Sequence, residues 1–321
     1  RSKRPGNGSL GDLKEFGDAL TADHFDAKTE VDKGVGGETF GFVVHDCFTN
    51  YTDCFPLVSK HSNNNITALN DFTGGNIWVK SFHADGAPEI KSAVEWLGWP
   101  FDPATPGRPS TNGIAEGKVK RVLNGIRTTI YQSGLAERWW SYACRHFCLA
   151  DNIYSGAWEK RFNKKFSGPI IPFGAIIDFR PCPTRAIYKP IGKFQTKAVP
   201  GIFLGYHLGP GGKWSKDYYV AEISAFQKSI GDRGHIPVQR VKEIYYDKAK
   251  AWEFPLKEYN DKQRRTIDGN VDQSNPDDEV PSVPRTPAHV EVHVEEQKTA
   301  WDLPSEAPRD AELEVEDVIA P

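Results

Sequence analysis

Several features that would narrow the protein class are missing from this sequence. Methionine is absent from all 321 residues, including the first, so we expect a fragment of a longer open reading frame or polyprotein. No run of about 18 or more apolar residues occurs, which excludes a transmembrane helix of the usual length. The basic N-terminal stretch has no apolar core and is not a secretory signal. We therefore expect a nuclear protein or part of a cytoplasmic particle, and not a secreted one.

Cysteine is scarce, with five residues at positions 47, 54, 144, 148 and 182. Their number is odd and no Cys-x-x-Cys pair occurs, so neither a disulfide framework nor a zinc ribbon is indicated. A zinc site is the alternative, and its ligands would be His45, Cys47, Cys54 and His61. That stretch is typical of two apolar strands, which favours buried, reduced thiols instead.

The small net charge of −3 hides an uneven distribution. From Thr266 onward there are fifteen acidic and three basic residues, which leaves residues 1–265 with nine more basic than acidic side chains. A basic body is compatible with a polyanionic partner. The tail is also poor in aromatic residues, so it cannot bury enough apolar area to offset its chain entropy.

The first half of the chain has the pattern of an α/β domain with a mixed sheet. Strands are predicted over Ala19–Asp23, over Ile77–Ala84 and as a hairpin within Glu38–Lys60 that turns near Thr49–Thr52. Helices are predicted over Ile66–Phe72, Ser92–Leu97, from Thr111 onward, and over Leu135–Ile153. Asn63–Asn65 would cap the first helix and Gly74-Gly75 would end it. Trp99–Pro109 is predicted to be a Pro-rich loop.

The second half has short apolar runs separated by Gly and Pro, which predicts a small all-β barrel. The runs are Ala175–Phe179, Ala186–Tyr188, Gly201–Tyr206, Tyr218–Ile223 and Val241–Tyr246. The expected organisation is a flexible N-terminus (1–15), an α/β domain (16–156), a basic, loop-like linker (157–171), the barrel (172–250) and a disordered acidic Pro-rich tail (262–321). Gly209–Trp214 is glycine-rich but lacks the setting of a phosphate-binding loop, so it is interpreted as a barrel turn.

Three carboxylates are the main candidates for chemistry. Asp23 and Asp85 each end a predicted strand, and Glu116 lies near the start of the long helix. Carboxylates are the natural ligands of Mg²⁺ and Mn²⁺. Two such ions about 3.5–4 Å apart can activate a water or a 3′-hydroxyl and stabilise the leaving oxygen of a phosphoryl displacement. The alternative is that both aspartates cap turns and that Glu116 belongs to an ordinary solvated helix face.

The sequence around these residues resembles retroviral and copia-type retrotransposon integrases. Asp85-Gly-Ala-Pro-Glu89 and Thr105-Pro-Gly-Arg-Pro-Ser-Thr-Asn-Gly-Ile-Ala-Glu116 resemble two motifs of that family. Asp46–Tyr51 with Pro56–Lys60 resembles its hairpin, and Trp140–Ala143 through Asn152 resembles the helix after its core. Phe173-Gly174 and Lys197–Tyr206 are similar to the barrel that follows the core in copia-type polyproteins. The resemblance covers roughly residues 16–248.

This resemblance implies a ribonuclease H-like core with a five-stranded mixed sheet, in which Asp23, Asp85 and Glu116 form the D,D,E triad. It implies metal-dependent 3′-end processing and strand transfer of double-stranded DNA, with two Mg²⁺ or Mn²⁺ ions when DNA is bound. Element ends and target DNA would be the substrates. A homo-oligomer and a downstream reverse transcriptase in the same polyprotein are the expected partners. Lys120 stands where the family places a DNA-contacting cation, while Asn112 and Gly113 would shape the turn that starts the helix.

The chain departs from the family pattern in four ways. Thirty residues separate Asp85 from Glu116, a few fewer than is usual, and Ala87 stands where the family has Gly. The upstream His/Cys zinc module is missing. The first motif is a loose match, so Asp26 or Asp18 is a possible substitute for Asp23. His24 and His83 lie beside the candidate ligands and are candidates for tuning the site.

DNA binding is predicted to use cations on the long helix, and the residues are Lys118, Lys120, Arg121 and Arg127. The Lys160–Lys165 run would add phosphate contacts. A catalytically decayed, integrase-derived nucleic-acid-binding module would keep this surface without the chemistry, and is the alternative function. A third possibility is a polyprotein linker whose acidic tail is a spacer. Trp139-Trp140 is predicted to pack in the helix core, not to stack on bases.

Overall fold

The computed structural model describes residues 13–29, 32–104, 112–181, 194, 196–228 and 236–267. These residues belong to one compact unit, which ends at Gly269. The predicted strand Ala186–Tyr188, the segment 105–111 and the tail from residue 268 lie outside the described residues. Among the described helices, none is both long enough and apolar enough to cross a lipid bilayer.

The first sheet has five strands in the spatial order β3-β2-β1-β4-β5. They are β1 (Leu20–Asp26), β2 (Phe40–Asp46), β3 (Thr52–Leu57), β4 (Phe82–Ala84) and β5 (Phe101–Pro103). The first three strands pair antiparallel, while β4 runs parallel to both β1 and β5. The prediction of a mixed five-stranded sheet is confirmed, and the arrangement is consistent with a ribonuclease H-like fold.

Hairpin β2–β3 forms where the sequence predicts it. The pairing runs from Phe40 opposite Leu57 to His45 opposite Thr52. Asn50 adopts a left-handed backbone conformation in the turn, with φ of 62°, which asparagine tolerates better than most residues. Both faces of β2 are buried: Phe42 and Val44 share one face and pack into one core cluster, while Val43 packs into another on the opposite face.

Four helices accompany this sheet: α1 (Ser62–Thr73), α2 (Pro88–Trp96), α3 (Gly113–Ser133) and α4 (Trp140–Tyr154). α1 ends at Gly74, with φ of 83°, as the glycine pair predicts. α3 buries Ala115, Val122 and Ile126, which share one face at helical spacing. Trp139 and Trp140 are both buried, so the prediction that they pack in the core is confirmed.

Several predicted boundaries were wrong. β1 continues past Asp23 to Asp26, because it stays paired with β2 as far as Phe40. The strand predicted over Ile77–Ala84 is only Phe82–Ala84. The predicted Pro-rich loop contains β5, which pairs with β4. α1 begins at Ser62, so the asparagines expected to cap it lie within the helix.

The second sheet is antiparallel, in the order β10-β6-β7-β8-β9. Its strands are β6 (Ile176–Phe179), β7 (Val199–Gly209), β8 (Lys213–Glu222), β9 (Val238–Val241) and β10 (Ile244–Tyr245). Two more helices, α5 (Ala157–Phe162) and α6 (Ile223–Lys228), precede and interrupt it. The turn predicted at Gly209–Trp214 joins β7 to β8. The described strands have a linear order, with β10 and β9 at the two edges. Closure into a barrel stays a prediction.

The expected loop-like linker is partly helical. Trp158 in α5 is buried and belongs to a core cluster that also contains Phe42 of the first sheet and Phe203 of the second. Burying that indole explains why a basic stretch forms a helix instead of a loose connection. The last helix, α7 (Pro255–Ile267), extends into the region expected to be tail. The domain boundaries therefore remain predictions, while the apolar core runs through both sheets.

Candidate active site

Asp23 and Asp85 come from neighbouring parallel strands. In the β1–β4 pair, Leu20 lies opposite Phe82 and Thr21 opposite His83. Continuing this register by two residues places Asp23 level with Asp85, on strands about 4.8 Å apart. Asp23 thus lies inside β1, while Asp85 directly follows the end of β4.

The turn after Asp85 leads straight into α2. The Asp85 Oδ1 accepts a hydrogen bond of 3.2 Å from the backbone N–H of Ala87, which precedes the first helical residue, Pro88. Ala87 has φ of −55°, a conformation that any residue adopts without strain. Alanine in place of the family's glycine therefore causes no backbone strain in this turn.

Glu116 lies in the first turn of α3 and is exposed. The helix starts after Asn112, whose carbonyl oxygen accepts a hydrogen bond of 3.1 Å from the Glu116 N–H. Asn112 is buried, so the start of the helix is held against the protein while the Glu116 side chain projects from it. The apolar face formed by Ala115 and Val122 packs inward, which fixes the side of the helix that carries Glu116.

Electrostatics link the three carboxyl groups. Burial raises the pKa of Asp23 to about 6, and the charges of Asp85 and Glu116 both contribute to this rise. Two effects lower the pKa of Asp23 in turn. One is a hydrogen bond of 2.7 Å from the His24 N–H to Asp23 Oδ1, and the other is the positive charge of Lys60. Like charges raise a carboxyl pKa only when they lie close by. The charges of Asp85 and Glu116 therefore act on Asp23.

The two proposed substitutes for Asp23 serve other roles. Asp18 accepts backbone N–H groups of Lys14 and Glu15, and pairs with Lys80 at 2.6 Å. The Lys80 contact is the main reason that the pKa of Asp18 falls to about 2. Asp18 therefore stabilises the fold at a distance from the triad.

Asp26 is neutralised by two lysines. Lys28 and Lys60 each reach an Asp26 carboxylate oxygen at 2.9 Å. These hydrogen bonds lower the pKa of Asp26, against the opposing effect of burial. With both oxygens taken by ammonium groups, Asp26 is a weaker candidate metal ligand than Asp23.

The two neighbouring histidines are held by other residues. His24 Nε2 lies 3.0 Å from Asn65 Oδ1, and its ring stacks on Phe42. Burial lowers the pKa of His24, so the ring stays neutral near pH 7. His83 Nδ1 lies 3.0 Å from Asp102 Oδ2 on the neighbouring strand. Both rings are engaged within the sheet, so a role in tuning the site remains a prediction.

Lys60 is a site residue that the sequence reasoning missed. It was noted only as the end of the hairpin motif, yet its charge acts on both Asp23 and His24. Lys60 comes three residues after the end of β3, and β2 separates β3 from β1 in the sheet. Its ion pair with Asp26 places it beside the end of β1, and the sequence carries no signal for that contact.

The four cations predicted to bind DNA differ in availability. Arg121 donates through Nε to Asp151 at 2.8 Å and forms a second, shorter contact through Nη2. Burial lowers the pKa of the partly buried Lys118. Lys120 and Arg127 are exposed on the same side of α3 as Glu116, and neither forms an ion pair with a described residue. These two are the better candidates for phosphate contacts.

The chemistry of the three acids, and not their arrangement, fits a divalent metal ion. Among the described residues, no group of three or more His, Cys, Asp or Glu side chains is arranged to hold a metal ion. The residues of the alternative zinc site are likewise not arranged to hold a metal ion. Two of them, Cys54 and His45, are buried in the hairpin. The triad nevertheless has the oxygen donors that Mg²⁺ and Mn²⁺ prefer, and Glu116 has an exposed side chain that is free to rotate.

Comparison with family models and with curated proteins finds no match to this chain, whereas comparison with solved structures does. Among solved structures the chain is similar to the catalytic core domain of BIV integrase, with 12% sequence identity and a TM-score of 0.32. That match covers 42% of this chain and 84% of the other. A likeness this weak assigns no function, so we derive the function from the site.

Proposed function

We propose that this protein is a polynucleotidyl transferase of the retrotransposon integrase type, which cuts and joins double-stranded DNA. The main support is that Asp85 follows the strand paired with that of Asp23, and that the charges of Asp85 and Glu116 both raise the pKa of Asp23. The order of integrase-like motifs along the chain supports it independently. Crowded anions of this kind are costly without a cation, which favours divalent metal binding.

In this proposal each acid has a distinct task. Asp23 in β1 and Asp85 directly after β4 would hold the metal, and Glu116 on α3 would complete the site by a side-chain rotation. When bound, Mg²⁺ or Mn²⁺ ions supply a stronger nucleophile and charge stabilisation at the leaving oxygen. Lys120 and Arg127 then orient the DNA backbone by contacts to its phosphates.

A plasmid-nicking assay with Mn²⁺ tests the proposal. The wild-type chain should nick supercoiled DNA only with the metal, and Asp85→Asn or Glu116→Gln should lower the rate by roughly 100-fold or more. Glu159→Gln is the matched control, because Glu159 is an exposed acid on α5. Variants that nick as fast as the wild type would overturn the assignment.

A second readout separates the enzyme from the decayed DNA-binding module. Mn²⁺ should raise the melting temperature of the wild type, because a ligand that binds only the folded state stabilises it. Asp85→Asn should remove most of that rise. DNA binding in a gel-shift assay, without nicking and without a Mn²⁺-dependent rise, would support the binding module instead.

A further inference from the structure

The structure contains a cavity of about 660 Å³ that none of the three candidate catalytic acids lines. Its walls come from the end of β1, the second half of α3, the turn after α3, and α7. Small-molecule sites in proteins typically have about 300–1,000 Å³ and a mainly apolar lining with a few polar groups. We call this space the α7 cavity.

The floor of the α7 cavity is apolar and rigid. Phe25, Ile126, Leu135 and Trp140 line it, and all four are buried. The Phe25 and Trp140 rings meet edge to face, with centroids 5.4 Å apart. Trp140 is also fixed by a hydrogen bond of 2.6 Å from its Nε1 to the Asp32 carbonyl. A flat aromatic ring or an aliphatic group of a ligand could pack against these side chains.

One wall is supplied by α7, which lies directly on the turn after α3. Gly134 has φ of 70°, and a Cβ atom built there would lie 2.2 Å from the Lys257 Cα. Asn260 donates to the Gly134 carbonyl at 2.6 Å, and Lys257 donates to the Tyr131 carbonyl at 3.3 Å. These contacts hold the wall in place, so the cavity is part of the folded structure.

Among the described residues that line the α7 cavity, four are acidic and two are basic. Its acids are Asp26, Asp32, Glu137 and Asp261, and its cations are Arg127 and Lys257. Lys257 is already engaged by the Tyr131 carbonyl and lies over the Tyr131 ring. Glu137 forms no ion pair with any residue whose side chain the structure describes. Asp26, as noted above, is neutralised by two lysines from outside the cavity.

We propose that the α7 cavity binds a small organic cation with an aromatic body. The ring would lie on the Phe25–Trp140 floor, and the positive group would face Glu137 and Asp261 at the rim. This inference goes beyond the proposed function, because it uses none of the three candidate catalytic acids. The result of the metal-dependent DNA-nicking tests therefore does not decide whether the cavity binds such a cation.

Two indole probes of similar size and opposite charge test the charge preference. Titration calorimetry on the whole chain should show binding of tryptamine, and weaker or no binding of indole-3-propionate. Glu137→Gln and Asp261→Asn should each weaken tryptamine binding by about fivefold, the upper range for one exposed ion pair. Glu159→Gln, far from the cavity lining, should leave the affinity unchanged.

A cavity-filling variant tests the location. Ala136 lines the cavity and is exposed, so Ala136→Trp should block the space without disturbing the core. We expect this variant to lose tryptamine binding while keeping the wild-type melting temperature. The proposal is overturned if indole-3-propionate binds as tightly as tryptamine, if neither probe binds at millimolar concentration, or if Ala136→Trp binds tryptamine normally.

Discussion

The side chain of Asn152 hydrogen-bonds both backbone polar groups of Thr52. Its Oδ1 accepts the Thr52 N–H at 2.9 Å, and its Nδ2 donates to the Thr52 carbonyl at 2.7 Å. Thr52 begins β3, the outermost strand on that side of the sheet. Asn152 on α4 thus supplies the hydrogen bonds that a further strand would give, and it is almost completely buried.

We predict that Asn152→Leu destabilises the protein by roughly 2–4 kcal/mol, because it leaves a buried donor and a buried acceptor without partners. Urea denaturation followed by circular dichroism measures the loss. Asn124→Leu, an exposed position on α3, controls for the change of residue type. A loss below about 0.5 kcal/mol for Asn152→Leu would show that water replaces both hydrogen bonds.

Two glycines, one inside α3 and one directly after its end, should respond oppositely to alanine. Gly134→Ala places a Cβ against Lys257 at a residue with positive φ, so we expect a loss of about 2 kcal/mol or more. Gly117 lies inside the helix with open space around it. Gly117→Ala should therefore stabilise the protein by about 0.5–1 kcal/mol. Denaturant titrations of both variants give the comparison, and equal effects would contradict the packing of α7 on Gly134.

The raised pKa of Asp23 predicts a pH-dependent stability in metal-free buffer. A carboxyl group with a folded-state pKa near 6 binds its proton more tightly when folded. Its contribution to stability is therefore fully present below its unfolded value of about 4 and is lost as the pH rises through 6. Asp23→Asn should become more stable relative to the wild type between pH 4 and pH 7.

Urea titrations in EDTA at several pH values check this prediction. Asp178→Asn, at an exposed position on β6, reports what loss of an ordinary surface carboxylate does over the same range. If the difference between wild type and Asp23→Asn does not grow with pH, then Asp23 does not feel the charges of Asp85 and Glu116 in solution.

The ion pair between Arg121 and Asp151 predicts unequal roles for two adjacent cations. Lys120→Ala should weaken DNA binding and lower the slope of log affinity against log salt by about one. Arg121→Ala should have a smaller effect, because Asp151 already holds that guanidinium. Asp151→Asn should strengthen binding by releasing it. Fluorescence anisotropy across a salt series measures all three, and a larger loss for Arg121→Ala would reverse this ranking.

Much of the first sheet could be predicted from residue patterns. The β2–β3 hairpin, the end of α1 at Gly74 and the buried face of α3 follow from local apolar spacing and turn residues. The errors fall where long-range pairing decides: β1 continues past Asp23 because β2 extends beside it, and β5 exists because β4 is its neighbour. Likewise, α5 forms where burial of Trp158 outweighs a basic, loop-like sequence.

The candidate site shows the same division. The residue types and motif order were enough to select Asp23, Asp85 and Glu116, because carboxylates after apolar segments are visible in a linear sequence. The tertiary structure decided three other features. It set the register that brings Asp23 level with Asp85, it paired Asp26 and Arg121 with other side chains, and it placed Lys60. These features depend on which distant segments become neighbours, and that choice is made by burial of the shared core and by sheet pairing.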